Sequence, residues 1–221
     1  MQFSDVMLQR KSTRAFLNKP IELEKIHNIL DLSGHAPSGV NTQPWDVAIV
    51  QGETKKQLDK KLENAFRSGI KANMDYQYYP KKWLEPYKSR RKACGLQMYS
   101  VLDIAREDKQ KQQDQWAANY RAFDAPVVLF FFLNEYAQQG SYLDYGMFLQ
   151  SLMLAAVDQG LATCPQAALT EYPQIVKEIL SRDESQTLIC GMALGYEDKQ
   201  AVINSYRTER EAFSSFSQFF D

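Results

Sequence analysis

Residues 36–51 read APSGVNTQPWDVAIVQ, a loop rich in turn-forming residues that runs directly into a short apolar segment. The apolar run from Val47 to Val50 predicts a buried strand over Asp46 to Gln51. The loop before it carries Ser, Asn and Gln side chains, which suit hydrogen bonding to a polar heterocycle. By composition alone, a stretch of this kind is slightly more typical of a plain helix-to-strand connection.

Other segments of the chain complete the predicted fold. Two further apolar runs, Val127 to Leu133 and Thr187 to Gly195, are predicted strands. Helices are predicted over residues 4–11, 21–32, 53–66, 143–160 and 170–180. The helix over 143–160 has so few charges that we expect it to be buried on nearly all sides. Helices alternating with few strands predict a mixed α/β (α+β) class with one central sheet, in a single domain over residues 1–221.

Two segments stand apart from this pattern. Tyrosines and a tryptophan alternate with lysines and arginines over residues 76–91, which predicts an aromatic flap that continues as a charged helical stretch, together spanning about 70–120. The tail over about 201–221 carries Phe213, Phe216, Phe219 and Phe220. Such rings need a surface that covers them, on their own domain or on a second subunit.

The bulk composition excludes several classes of protein. A formal net charge of -1 over 221 residues argues against non-specific binding of nucleic acid, although the aromatic and basic residues at 76–92 could stack on bases. Three widely spaced cysteines and two histidines indicate neither a disulfide framework nor a metal centre. The longest apolar run is far shorter than the roughly 20 residues of a membrane helix. Without a secretory signal pattern at the N-terminus, we expect a reduced, cytoplasmic protein.

Three further motifs are candidates for binding or chemistry. Arg10-Lys11-Ser12-Thr13-Arg14 offers two guanidinium forks and a hydroxyl to a phosphate, although a basic run at a helix end is more often a solvated face. Arg207 and Arg210 form a second basic cluster that the fold could bring back to Arg14. Residues 160–168, GLATCPQAA, form a loop beside the core whose small residues allow a flat ligand to approach closely. With neither histidine near it in sequence, Cys164 is better interpreted as a buried structural thiol than as a nucleophile.

No G-x-G-x-x-G follows a strand, and neither a Walker A motif nor a G-x-S-x-G elbow occurs in the sequence. The ordered set of motifs instead resembles the FMN-dependent nitroreductase family. It runs R-x-S-x-R near the N-terminus, then A-P-S-G-x-N-x-Q-P-W before a strand, a D-x-G-x-x-x-Q helix at Asp144 to Gln150, G-x-x-L-G-Y at Gly191 to Tyr196, and a closing arginine cluster. Residues 78–91 and 163–168 resemble the nitrobenzoate reductase-like branch, and the resemblance covers nearly the whole chain.

The resemblance implies a set of cofactor-binding residues and no catalytic side chain or metal ligand. The FMN phosphate and ribityl chain would lie on Arg10, Ser12 and Arg14, with Arg210 and Arg207. The loop residues Pro37, Ser38, Asn41 and Gln43 would reach the flavin from a partner subunit. Pro165, Gln166 and Ala167 would lie against the isoalloxazine with Gly191 nearby, and Asn119 and Gln150 complete the set.

The resemblance also implies an architecture and an activity. The family fold is an α-β-α sandwich with a mostly antiparallel sheet, assembled as an intertwined homodimer whose swapped tails would be residues 201–221. NADH or NADPH would pass a hydride to flavin N5, and a nitroaromatic or quinone-like small molecule would then accept it in ping-pong order. An FMN-binding sensor or carrier without turnover is the alternative.

Overall fold

The computed structural model describes residues 2–221, and its four strands form one sheet in the order β1-β2-β4-β3. These are β1 Asp46–Gln51, β2 Val127–Leu133, β3 Ala162–Gln166 and β4 Thr187–Gly195, and every neighbouring pair is antiparallel. The sequence predicted β1, β2 and β4 with these bounds, but β1 was wrongly predicted as a buried strand: it lies at the edge of the sheet, and only Val50 in it is buried. It was wrong about residues 162–166, which form an edge strand rather than a loop. Proline is tolerated at the edge of a sheet, so Pro165 does not prevent the pairing with β4.

Seven α-helices surround the sheet. They are α1 Phe3–Gln9, α2 Leu23–Gly34, α3 Gly52–Arg67, α4 Tyr87–Val101, α5 Lys109–Ala117, α6 Gln139–Asp158 and α7 Pro173–Leu180. The predicted helices correspond to α1, α2, α3, α6 and α7, with shifts of a few residues at their ends. The last of them begins at Pro173 rather than Thr170, because residues 167–170 form a 3-10 turn and proline suits the first turn of a helix.

The helices cover both faces of the sheet, which confirms the predicted α-β-α sandwich. Alternate residues of β2 point to opposite layers: Leu129 and Phe131 pack with α2 and α6, whereas Val128 and Phe130 pack with α3 and α7. All seven β2 residues are buried because the strand lies inside the sheet with a helical layer on each side. Of the helices formed by residues 2–221, none is long and apolar enough to cross a membrane.

The prediction that α6 is buried on nearly all sides was wrong for a single chain. Tyr145, Phe148 and Leu152 are buried against the sheet. Leu143 is 74% exposed and Met147 is 40% exposed, although both are apolar. The helix therefore has one apolar face in its own core and a second apolar face on the surface.

The segment predicted as a flap and the phenylalanine tail differ in how firmly the chain holds them. The first residues of the flap contact the core. Tyr76 packs against the core, and its hydroxyl donates a hydrogen bond to the Ile189 carbonyl at 2.6 Å. Beyond it, α4 contains no buried residue. The tail from residue 209 to 221 is exposed throughout, including its four phenylalanines.

Candidate functional site

An arginine-lined cavity forms where the N-terminal segment meets the chain returning from β4. After α1 ends, residues 10–14 run extended, and Ser12 forms a parallel bridge with Thr163 of β3. This geometry places alternate side chains on one side of the segment. The cavity has a volume of about 470 Å³, and six of its lining residues are predicted cofactor ligands: Arg10, Ser12, Arg14, Gln150, Arg207 and Arg210.

Lys11 in the lining of this cavity pairs with Glu197 at 2.7 Å, but the arginines of the cavity have no such partner in the described part of the chain. Among residues 2–221, none of the four arginines Arg10, Arg14, Arg207 and Arg210 forms an ion pair with a carboxylate. Burial, followed by the charges of Arg210 and Arg207, lowers the pKa of the Arg10 guanidinium. Like charges gathered without counter-charges define an anion-binding site.

Arg207 is nevertheless engaged in a structural contact. Its guanidinium donates to the carbonyl oxygens of Arg10 at 2.7 Å and Gln9 at 3.2 Å, at the end of α1 where helix carbonyls lack partners. Arg210 donates to the Thr208 hydroxyl at 2.8 Å. Arg207 therefore fixes the tail against the N-terminal segment besides contributing charge to the cavity.

A second cavity of about 240 Å³ shares Arg14 with the first. Its walls include the predicted ligands Asn119, Pro165, Gln166 and Ala167, together with Tyr79, Tyr99 and Trp116. The Gln166 amide donates to the Asn119 carbonyl at 2.9 Å, while its own Oε1 is buried without a hydrogen-bond partner. A buried unpaired acceptor is costly, and a ligand that donates a hydrogen bond would relieve that cost.

Gly191 lies behind these walls, whereas Cys164 lines the second cavity but is buried. Gly191 pairs with Gln166 across the sheet, and a Cβ there would lie 2.5 Å from Leu169 Cδ1. Glycine at this position is therefore explained by the packing of the 3-10 turn over β4. Cys164 is buried, and burial raises the pKa of its thiol to about 11. A neutral buried thiol agrees with the structural role expected for it.

The structure does not bring the loop residues Pro37, Ser38, Asn41 and Gln43 into either cavity. Pro37, Asn41 and Gln43 are exposed, and the Ser38 hydroxyl accepts the Gln43 backbone N–H at 2.9 Å. The loop is attached to α6 through Asp144, whose carboxylate accepts the Gly39 N–H at 3.2 Å. The two parts of the predicted set are thus separate within one chain.

Sequence reasoning missed several residues of the second cavity. Glu171 lines it, accepts a hydrogen bond from the Tyr120 hydroxyl at 2.5 Å, and has a pKa raised by burial. Trp116 and Tyr99 come from the charged helical stretch, where isolated aromatic residues carry no periodic signal. Tyr79 was expected in the flap, and the structure places it in the cavity wall.

An α-β-α sandwich whose arginine-lined cavity shares Arg14 with an aromatic-walled cavity suits a class of protein that takes a phosphorylated planar ligand. The model of the nitroreductase family matches residues 7–196, so the chain belongs to the nitroreductase family. This confirms the family prediction made from the motifs.

Individual relatives agree with the branch. The chain is 36% identical over 217 residues to a 4-nitrobenzoate reductase of Pseudomonas putida, with 98% of this chain and 95% of the relative covered. A chloronitrobenzene nitroreductase of Comamonas testosteroni is 31% identical over 218 residues, with 97% and 95% covered.

Solved structures extend the similarity to the whole fold. The FMN and NADPH-dependent nitroreductase NfnB of Sphigopyxis sp. strain HMH superposes with a TM-score of 0.96 at 32% identity, covering 100% of both chains. The FMN-dependent nitroreductase NfnB of Mycobacterium smegmatis, solved in complex with NADPH, gives a TM-score of 0.94 at 31% identity, with 99% of this chain and 97% of that chain covered.

Proposed function

We propose that the protein is an FMN-dependent NAD(P)H oxidoreductase that reduces nitroaromatic or quinone-like acceptors. One observation carries the proposal: four arginines that have no carboxylate partner among residues 2–221 line a cavity, and one of them, Arg14, also lines a second cavity with aromatic walls. The relatives described as nitrobenzoate reductases and as FMN and NADPH-dependent nitroreductases support it.

The residues present fit the proposed cofactor. Arg10, Ser12 and Arg14, with Arg207 and Arg210, would hold the phosphate, because guanidinium forks match phosphate oxygens. Gln150 lines the same cavity. Asn119, Pro165, Gln166 and Ala167 would hold the ring system, and the unpaired Gln166 Oε1 would accept a hydrogen bond from it.

The chain's own part in the chemistry is positioning and electrostatics. When bound, FMN would supply the redox chemistry by taking a hydride from NAD(P)H and giving it to the acceptor in ping-pong order. Arg14 lines both cavities and would place a positive charge beside the ring, which favours an anionic ligand state. Tyr79, Tyr99 and Trp116 line the second cavity and would offer aromatic surfaces on which the acceptor's ring could pack.

Flavin reduction tests the proposal and separates it from the alternative. The purified protein should be yellow, and NADPH or NADH should bleach its absorbance at about 450 nm under anaerobic conditions. A nitroaromatic or a quinone should then restore the absorbance. Bleaching by neither nucleotide in a yellow protein would favour an FMN-binding sensor or carrier, and a colourless protein that takes up no FMN would reject both.

We also propose that two copies form an intertwined homodimer in which residues 201–221 extend over the second copy and residues 37–43 enter its flavin site. The exposed apolar residues support this assembly: Leu143 and Met147 on α6, Phe3 and Leu8 on α1, and the four phenylalanines of the tail. Apolar surface of this extent marks an interaction site in a soluble protein. Sedimentation of the flavin-loaded protein as a stable monomer would reject the dimer.

The remaining features of the proposal are the domain organisation and the location. We propose a single domain over residues 1–221 carrying the flap at about 70–120, and a cytoplasmic location. The single domain is supported by the two clusters of buried residues, which lie on opposite faces of one sheet. The three cysteines, none of which forms a disulfide, suit a reducing compartment.

A further inference from the structure

Asn204 lies at the junction of the two arginine segments and uses its whole amide there. The residue is 4% exposed, in a 3-10 turn after β4. Its Oδ1 accepts the Arg14 backbone N–H at 2.8 Å. Its Nδ2 donates to the Ala15 carbonyl at 2.8 Å and to the Asp198 carbonyl at 2.9 Å. One side chain therefore joins the N-terminal segment to the chain that returns from the sheet.

These two segments carry the four arginines, and their charges oppose the approach. Arg10 and Arg14 belong to the N-terminal segment, and Arg207 and Arg210 follow Asn204 within six residues. The lowered pKa of Arg10, caused by burial and then by Arg210 and Arg207, reflects this crowding. A neutral amide with one acceptor and two donors can hold the segments together without adding charge.

The amide is specific for this position. Asn204 does not line either cavity, so it does not contact a ligand bound there. A leucine of similar size would leave the Arg14 N–H unpaired and would remove one of the two hydrogen bonds at each of the Ala15 and Asp198 carbonyls, which keep the Asp198 and Ala201 N–H donors. Lys11 donates to the backbone carbonyl of Asn204 at 2.6 Å, a contact that every side-chain variant retains.

We propose that Asn204 is a positioning residue of the phosphate pocket: it fixes the backbone of Arg14 against the returning chain so that all four arginines face one phosphate group. The inference rests on the proposed FMN function. It predicts that Asn204 governs recognition of the phosphate and has little effect on recognition of the ring.

The test compares FMN with riboflavin, which has the same ring and no phosphate. Flavin-stripped wild type, Asn204→Leu and Asn204→Gln are titrated with each flavin by fluorescence, and the ratio of the two Kd values gives the preference for the phosphate. Asn204→Gln keeps the amide but moves it outward by one methylene. We expect Asn204→Leu to lose about tenfold of the FMN preference and Asn204→Gln less, with riboflavin affinity changed by under about threefold.

A control separates positioning from stability. Val176→Ala truncates a fully buried side chain of α7 that lines neither cavity, so it should lower the melting temperature and leave the FMN preference unchanged. If Asn204→Leu does not fold, Asn204→Gln decides the question. A wild-type preference retained in every folded variant overturns this inference alone, whereas a wild type without any preference for FMN overturns the proposed function with it.

Discussion

The arginine-lined cavity and the loop at residues 37–43 are proposed to bind the same ligand, but contacts within one chain hold the cavity much more firmly than the loop. The pocket is held by long-range contacts between segments about 190 residues apart, such as the Arg14 N–H on Asn204 at a separation of 190. The loop is held mainly by its own short contacts and by Asp144. Val40 at its tip is 98% exposed.

The backbone sharpens the contrast. Val40, Asn41 and Gln43 have φ values of 45°, 59° and 46°, in the left-handed region. This conformation costs roughly 1–2 kcal/mol for a residue with a Cβ and is most unusual for a β-branched one. Strain that persists on an exposed loop supports a functional role for that loop. The comparison supports the proposed dimer, in which each chain completes its own phosphate pocket and its loop at residues 37–43 would enter the flavin site of the other chain.

Removing the pocket's arginines should have the largest effect. Arg14→Ala combined with Arg210→Ala removes two charged donors, each contributing about 1.5–3 kcal/mol to binding of an anion. We expect FMN affinity to fall by at least about 100-fold, measured by fluorescence titration of flavin-stripped protein. Arg106→Ala removes an exposed arginine that lines neither cavity and serves as the control. Equal FMN affinity in the double variant and in the control would refute the phosphate assignment.

Mixed dimers should show which chain uses the loop. Asn41→Gly with Gln43→Gly removes two loop side chains, and glycine retains the left-handed backbone without strain. A dimer that pairs this chain with the Arg14→Ala, Arg210→Ala chain has one fully native site if the loop acts across the interface. We therefore expect about half of the native flavin content, well above either parent homodimer.

The flavin content of differently tagged, co-purified chains measures this directly. If pocket and loop served the same chain, both sites of the mixed dimer would be damaged. Its flavin content would then equal the mean of the two parents, and the division of the site between chains would be wrong.

The fold shows which features could be predicted from the sequence and which could not. β1, β2 and β4 were predicted with their bounds because each is an apolar run, although only β2 and β4 are strands of the sheet interior and β1 is an edge strand in which only Val50 is buried. β3 was missed because it is a short edge strand with a proline. The exposed face of α6 was misjudged because an apolar pattern does not distinguish the chain's own core from a surface that a second chain would cover. Asn204 carried no signal, since a lone asparagine in a turn usually marks only the turn.

The residues that line the two cavities were predicted from the order of the sequence motifs, not from any pattern that indicates which residues meet in the fold. Nothing in the spacing of Arg10, Arg14, Arg207 and Arg210 indicates that they meet; the returning chain after β4 brings them together. Glu171 and Trp116 were missed for a related reason, because the turn after β3 and the helix α5 place them in one cavity. Such encounters depend on tertiary packing, which residue patterns do not encode.

The third prediction concerns the cavity wall at Cys164. We expect this wall to stay closed to solvent in the flavin-free protein, whereas the loop at residues 37–43 is exposed. Burial raises the pKa of Cys164 to about 11, so on the order of one thiol in a thousand is ionised at pH 8. We expect iodoacetamide at pH 8 to label Cys94, which is exposed, much faster than Cys164. Mass spectrometry of peptides from flavin-free protein, before and after unfolding in urea, measures the rates. Rapid labelling of native Cys164 would show that the wall opens when the flavin leaves.

The smallest expected effect is the relief of strain at Val40. Asparagine tolerates the left-handed conformation better than valine, so Val40→Asn should stabilise the flavin-free protein by about 1 kcal/mol, which is about 2–4 °C for a chain of this length. Val202→Asn, at a position that is 57% exposed and has no positive φ, should not stabilise it. Both are measured by thermal unfolding at one protein concentration, because dimer stability depends on concentration. A higher stability of Val40→Asn with unchanged FMN affinity would mean that the loop has a strained backbone in the flavin-free protein.

Equal changes in stability at Val40 and Val202 would show that the loop is not strained. The contrast between the loop and the arginine-lined cavity would then rest on the exposure of the loop alone.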